Sequence, residues 1–250
     1  MTAPSAQPAV VLRRTPWRDH DLIVELLTPT QGRLTAKAQG ARRSTRRFGA
    51  ALEPGARVRA HLAGGRAGQV LSAVDLVAPL RAARVDLDRF HHLAYVLEIA
   101  RLASSEGEAD ETLFGLLVSY LEHLEAQPAT DEALAHWELT VLAHLGYGLR
   151  LEACVHTGRR PDSLSLSAGG AFASHHASAA DGQRVGEDAV AALARLAAGQ
   201  GGQIPAGRRA VVRAALARLW AQVLGRALRT AAFLPGVAES MWAGPVDGRD

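Results

Sequence analysis

The spacing of apolar residues changes near position 80, and this change constrains the chain more than any other feature. Before that point apolar side chains alternate with polar ones or run in short blocks. After it they recur every three or four residues. Val10, Val11 and Leu12 form an apolar run ahead of Arg13 and Arg14. Leu22, Val24 and Leu26 alternate with Ile23, Glu25 and Leu27, and Leu34, Ala36 and Ala38 alternate with Thr35, Lys37 and Gln39. This is the period of a half-buried strand. Pro29 and Gly32 punctuate the connection between the last two as a hairpin. Further strands are expected over Arg57 to Leu62 and Val70 to Leu76, with Gly64, Gly65 and Gly68 loosening the link between them.

Beyond the change, Phe90, Leu93, Val96, Leu97 and Ala100 recur at helical spacing behind Asp86 and Asp88. A second stripe runs through Leu113, Leu116, Leu117, Tyr120, Leu121 and Leu124. A third runs through Leu134, Trp137, Val141, Leu142 and Leu145 and stops at Gly146 and Gly148. Val190, Leu193 and Leu196 mark a fourth helix, and Val212, Leu216, Leu219, Val223 and Leu228 a longer fifth one. The expected fold class is α+β. Five short strands with glycine-rich turns over residues 1–80 predict a small Greek-key barrel, the OB-fold. A helical domain follows in two parts, 81–150 and 185–235. Between them lies an insertion or loop, 151–184, rich in Ser, Gly and His. The tail over 236–250 is expected to be loosely ordered.

The chain has 250 residues, 48% of them apolar and 21% charged, the balance of a globular protein. The aromatic fraction of 5% and the many alanines favour closely packed helices over a large sandwich. Cys154 is the one cysteine, so no intramolecular disulfide forms and a reducing compartment fits. No segment approaches the roughly 20 apolar residues that span a bilayer. Met1 to Pro8 lacks an apolar signal core and reads as a short disordered lead-in, so the expected location is cytoplasmic.

Charge is distributed unevenly. The net charge is only +3, yet Arg33, Lys37, Arg42, Arg43, Arg46, Arg47, Arg57, Arg59 and Arg66 fall in one stretch opposed only by Glu53. Arginine forks phosphate oxygens bidentately, and a barrel binds single strands by tracking phosphates while bases stack on aromatic rings. The expected phosphate contacts are Arg33, Lys37, Arg42, Arg43, Arg46, Arg47, Arg57 and Arg59, extended by Arg13 and Arg14. Trp17 and Phe48 are the stacking candidates. Such contacts are mostly electrostatic and read little sequence. The competing interpretation is a solvated basic loop with Phe48 packed inside the barrel.

Several short stretches resemble the RecO family of bacterial recombination and repair mediators. They are Val11-Leu12-Arg13, Asp21-Leu22-Ile23-Val24, Gly32-Arg33-Leu34, and Gly40-Ala41-Arg42-Arg43 followed by Arg46 and Leu52-Glu53-Pro54. Tyr95-Val96-Leu97-Glu98, Glu138-Leu139, Leu145-Gly146-Tyr147, Leu224-Gly225-Arg226, Leu228-Arg229 and Phe233-Leu234 continue the match in order. The resemblance implies an OB-fold followed by a helical domain. It also implies binding of single- and double-stranded DNA, strand annealing in the response to DNA damage, and no catalytic site or cofactor. The implied partners are RecR and the acidic C-terminal tail of single-stranded DNA-binding protein, which together help load RecA. The implied place of action is the bacterial nucleoid during repair.

Many relatives in that family carry a zinc module of two C-x-x-C pairs. In register with it stand Cys154, Thr157, Ala173 and His176, and neither Thr157 nor Ala173 replaces a thiolate. His156 and His175 lie nearby at spacings unlike a usual zinc site. The expectation is a degenerate, metal-free insertion with Cys154 packed rather than catalytic. Arg18-Asp19-His20-Asp21 reads as a solvated turn, His91 and His92 as helix residues, and Gly199 to Gly202 as a loop without a Walker lysine. Three other readings remain open: an RNA-binding barrel, since only a contact to the 2′-hydroxyl separates RNA from DNA; a hydrolase with a deep polar pocket; and a protein scaffold with reduced DNA binding.

Overall fold

The computed structural model describes residues 5–44, 47–65, 68–175, 179–235 and 237. The chain divides into two compact units, Met1–Pro128 and Ala129–Asp250.

Among the described residues the first unit holds five strands, β1 (Ser5–Trp17), β2 (Asp21–Thr28), β3 (Gly32–Ala38), β4 (Arg57–Gly65) and β5 (Gly68–Ala78). They close in the order β1-β2-β3-β5-β4, with β3 and β5 parallel and the other pairs antiparallel. The expected OB-like barrel is therefore present. Its interior is filled by Val11, Val24, Leu26, Leu34, Ala36, Val58, Leu62 and Leu71. A 3-10 turn at Gly49–Leu52 brings Phe48, Ala51 and Leu52 into the same core. The lead-in expected over Met1 to Pro8 is strand from Ser5 onward, because β4 is long enough to pair with it, Ser5 opposite Leu62.

The same unit carries the helices α1 (Ala82–Val85), α2 (Leu87–Ala103) and α3 (Glu111–Ala126). Asp86 caps α2 by accepting the Arg89 N–H, and Asp110 caps α3 through the Leu113 N–H, each satisfying a donor that the helix start leaves free. Helix α2 packs on β1 and α3 on β2. Val10, Leu12 and Leu27 are buried yet lie outside the barrel-core cluster, which fits burial beneath these helices. The connection after α2 docks on the start of β3. Arg33 N–H donates to the Ser105 carbonyl at 3.1 Å, and Gly107 N–H donates to the Arg33 carbonyl at 3.1 Å. Gly32 has φ 57°, and a Cβ there would stand 1.9 Å from the Glu108 carbonyl oxygen, so only glycine fits.

The second unit holds α4 (Asp131–His144), three short strands β6 (Ser163–Ser165), β7 (Gly170–Phe172) and β8 (Gln183–Arg184), then α5 (Glu187–Ala197) and α6 (Arg209–Val223). Leu139, Leu164, Leu193, Val212, Leu216 and Leu219 build its core. Inside it Arg213 Nη2 stands 2.6 Å from Glu138 Oε2, both side chains buried. Such a pair tolerates loss of neither partner, because the survivor is a stranded charge. Two expectations change here. The last helix ends at Val223 rather than running through Leu228, because Gly225 adopts φ 65° and turns the chain. The 151–184 segment, read as an insertion or loop, contains the antiparallel sheet β7-β6-β8. The tail read as loose, 236–250, lies outside the described residues apart from Val237.

Candidate nucleic-acid interface

On a strand, neighbouring side chains point to opposite faces. Leu22, Val24 and Leu26 fill the barrel, so Asp21, Ile23 and Glu25 point outward from β2. By the same alternation Arg33, Thr35 and Lys37 point outward from β3; in β1 the register shifts between Val11 and Arg13, so Arg13, Thr15 and Trp17 pair with the outward residues of β2 and share their face. Register aligns them: Trp17 with Asp21, Thr15 with Ile23 and Lys37, and Arg13 with Glu25 and Thr35. One outer face of the barrel thus carries Arg13, Arg33, Lys37 and a Trp17 ring that is 49% exposed.

The loops at one end of this face are tied to it. Arg42 N–H donates to the His20 carbonyl at 3.1 Å and Arg42 Nη1 to the Asp19 carbonyl at 3.0 Å. Arg47 Nη2 donates to the Gln39 carbonyl at 2.9 Å. Asp21 accepts the Gly40 N–H at 2.9 Å and pairs with Lys37 at 3.1 Å. The Gly40 hydrogen bond and the Lys37 ammonium hold the Asp21 carboxyl below the usual carboxylate range. Arg18 adopts φ 54° in the turn between β1 and β2. Arg43 is exposed and has no ion-pair partner among the described residues. Arg42, Arg43 and Arg47 therefore gather beside Trp17 and Lys37.

Other expected residues fall elsewhere. Arg14 follows Arg13 and points the other way, pairing with Glu53 at 2.7 Å, which Arg84 also meets at 3.4 Å. Arg57 pairs with Glu122 of α3. Arg59 is exposed but shares the far side of the barrel with Arg57, because β4 neighbours β1 and β5 and not β3. Phe48, expected to stack a base, is instead 3% exposed in the barrel core, drawn in by the 3-10 turn that follows it. The Arg47 guanidinium lies over its ring, 5.1 Å from the centroid. Arg46 lies outside the described residues. Glu25 and Arg101, absent from the sequence-based set, belong to this face. Strand alternation could have flagged Glu25, but nothing local connects Arg101 of α2 to β2.

The insertion organises itself around carboxylates. Asp181 accepts hydroxyl hydrogens from Ser165 at 2.6 Å and Ser167 at 2.5 Å and N–H hydrogens from Leu166 and Ser167. Burial raises its pKa, but these donors outweigh burial and bring it down to about 2. Asp162 accepts the Ser174 N–H and hydroxyl and meets Arg184 at 3.3 Å. Burial raises its pKa too, yet the Ser174 and Ser163 hydrogen bonds and Arg184 leave it lowered overall. The buried Cys154 sulfur accepts the Ala173 N–H at 3.3 Å. Burial pushes that thiol up, while the Thr157 side chain and the Ala173, His156 and Thr157 N–H groups bring it to about 7. At the positions where a zinc module needs metal donors, Thr157 and Ala173 hydrogen-bond to the cysteine instead. This donor set does not fit a four-ligand zinc site. His176 lies outside the described residues, and among the described residues no three His, Cys, Asp or Glu side chains cluster to hold a metal.

The fold defines an OB-like barrel module joined to a helical region, and among the described residues no helix is long and apolar enough to cross a membrane. Comparison with known proteins refines that class. The family model described as Recombination protein O N terminal matches residues 1–81, and that described as Recombination protein O C terminal matches residues 84–231. The chain belongs to the RecO family. A protein of Anaeromyxobacter sp. (strain K) named DNA repair protein RecO is 35% identical over 249 residues, 94% of this chain and 97% of that protein. Proteins of the same name from Myxococcus xanthus and Pelobacter propionicus are 41% and 40% identical, over 61% and 62% of this chain. In both of these the aligned region spans 63% of the relative, less than two thirds of its length.

Proposed function

We propose that this protein is a non-enzymatic mediator of recombinational DNA repair that binds DNA strands and anneals complementary ones. The observation that carries this reading is the outer face of β1-β2-β3, along which Arg13, Arg33 and Lys37 are set, with Arg42, Arg43 and Arg47 in the loop at the end that carries the exposed Trp17. Each phosphate neutralised there releases a counterion and lowers the repulsion between strands, and that suffices to speed annealing without a reacting group. Trp17 supplies a stacking surface of the kind that single-strand-binding barrels use. Arg14, Arg57 and Arg59 play a minor part in this contact.

In this reading the protein acts in the cytoplasm with RecR and with the acidic tail of single-stranded DNA-binding protein to help load RecA. The support is the family membership. The test is the binding and annealing of labelled oligonucleotides across a range of salt. Six phosphate contacts predict a log–log slope of affinity against salt of about −4 for single strands. Affinity that stays flat as salt rises would sink the proposal.

A further inference from the structure

Three arginines converge on one carboxylate at the edge of the open face. Arg13 Nη1 lies 3.6 Å from Glu25 Oε1, and Arg33 Nη1 and Arg101 Nη1 each lie 3.8 Å from Glu25 Oε2. We infer that Arg13, Arg33 and Arg101 form a seat for a phosphodiester of a bound strand, with Glu25 as the post that holds the three forks in place. This rests on the strand-binding reading above and carries the track off the barrel onto helix α2.

Three guanidiniums share the Glu25 carboxylate, so the cluster itself carries more positive than negative charge, with Glu106 and Glu108 in the connection docked on β3 beside it. None of the three makes a further ion pair among the described residues. A site with that surplus draws in an anion. Its geometry is also fixed in advance. Arg33 Nε donates to the Ser104 carbonyl at 3.3 Å, and the 104–108 connection is hydrogen-bonded along the start of β3. The last turn of α2, which carries Arg101, is thereby fixed against the strand that carries Arg33. Access remains: the Arg13 side chain is 55% exposed, and those of Arg33 and Arg101 are 26% and 21% exposed. Finally, the seat is continuous with the rest of the face. Arg33 and Lys37 are four residues apart on one strand, about 13 Å, and point the same way. An extended phosphate chain follows such a line, whereas a lone acidic side chain needs only one end of it.

The experiment measures binding of the full-length protein to fluorescent oligo-dT by anisotropy across a salt series. It uses the wild type, Arg101→Ala, Arg101→Lys, Glu25→Gln and Lys37→Gln. Arg101→Ala is expected to weaken binding several-fold at low salt and to shrink the slope by up to about 0.7, the share of the one phosphate that the three arginines hold together. Arg101→Lys keeps the charge but loses the fork, so its slope stays near wild type while affinity falls by less. Its retained charge also guards against a failure of Arg101→Ala to fold. Glu25→Gln keeps the shape of the post and removes its charge, so affinity rises. Wild-type slope and affinity in Arg101→Ala, or weaker binding in Glu25→Gln, overturns the seat. If that happens while Lys37→Gln still flattens the slope, the strand-binding reading survives. A wild type that shows no salt-dependent binding overturns both. Competition by poly-glutamate that Arg101→Ala abolishes, with an unchanged oligo-dT slope, assigns the site to an acidic peptide and overturns the phosphate proposal.

Discussion

The same strands give the barrel two outer faces with opposite fates. On one side Val10, Leu12 and Leu27 are buried, and the charge at the edge, Arg57, is paired with Glu122 of α3. On the other side Thr15, Ile23 and Lys37 are half-buried, Thr35 is exposed, and the surface continues to Arg42, Arg43 and Arg47. Outward residues decide which it is. Where a strand is apolar on both faces, it needs a second layer to keep that surface from water. Where the outward positions are charged or hydroxylated, covering them would strip water from groups without partners. A basic run that is continuous in sequence is therefore split by the fold into an open surface and a structural edge.

The sharpest way to break this comparison is to reverse the open face. Replacing Lys37, Arg42, Arg43 and Arg47 together by Glu should weaken oligonucleotide binding more than about a hundredfold at low salt, since four contacts become repulsions. Replacing Arg57 and Arg59 by Gln should change it less than about threefold. Similar losses from both sets would erase the distinction between the faces.

Stability should show the opposite asymmetry. Leu27→Ala, beneath the helices, should cost about 2–5 kcal/mol in urea unfolding, while Thr35→Ala on the open face should stay within about 0.5 kcal/mol. Next in size is Trp17→Ala, which should lose about 1–3 kcal/mol of single-strand affinity and leave unfolding nearly unchanged. Phe48→Ala should do the reverse, since its ring is core. An affinity loss from Phe48→Ala in a variant that melts like wild type would return it to the interface.

The smallest effect lies away from the barrel. Asp162 and Asp181 have lowered carboxyl pKa values in the folded state, so their contribution is full above the ordinary carboxylate value near pH 4 and is lost as pH falls toward about 2 for Asp181. Asp181→Asn should therefore narrow the difference in melting temperature between pH 5 and pH 2.5 relative to wild type. It should leave oligonucleotide affinity alone. An unchanged acid sensitivity would show that Asp181 does not hold this sheet.

Much of this was legible in the sequence. The strands and the main helices follow from apolar spacing, and the alternation of Leu34, Ala36 and Ala38 with Thr35 and Lys37 marks an open outer face. The unbroken runs Ala9 to Leu12 and Leu26-Leu27 carry the complementary signal of burial on both faces, although only a structure shows what covers them. What could not be read is set by contacts distant in sequence. Phe48 sits in a basic loop, and only the closing 3-10 turn sends it inward. Arg57 leaves the basic surface because β4 closes the barrel between β1 and β5. Arg101 joins that surface because the 104–108 connection docks on β3. The Glu138–Arg213 pair was invisible to a search for apolar stripes, because each charge is buried only through the other.

Lys37 is the only lysine in the chain, and this gives the central claim a direct measurement. Amine-reactive labelling of the full-length protein, read by mass spectrometry at Lys37 with and without saturating oligo-dT, reports whether the strand occupies the open face. The account predicts that bound oligonucleotide protects Lys37 several-fold and that high salt removes the protection. Unchanged labelling of Lys37 while anisotropy shows the oligonucleotide bound would contradict it.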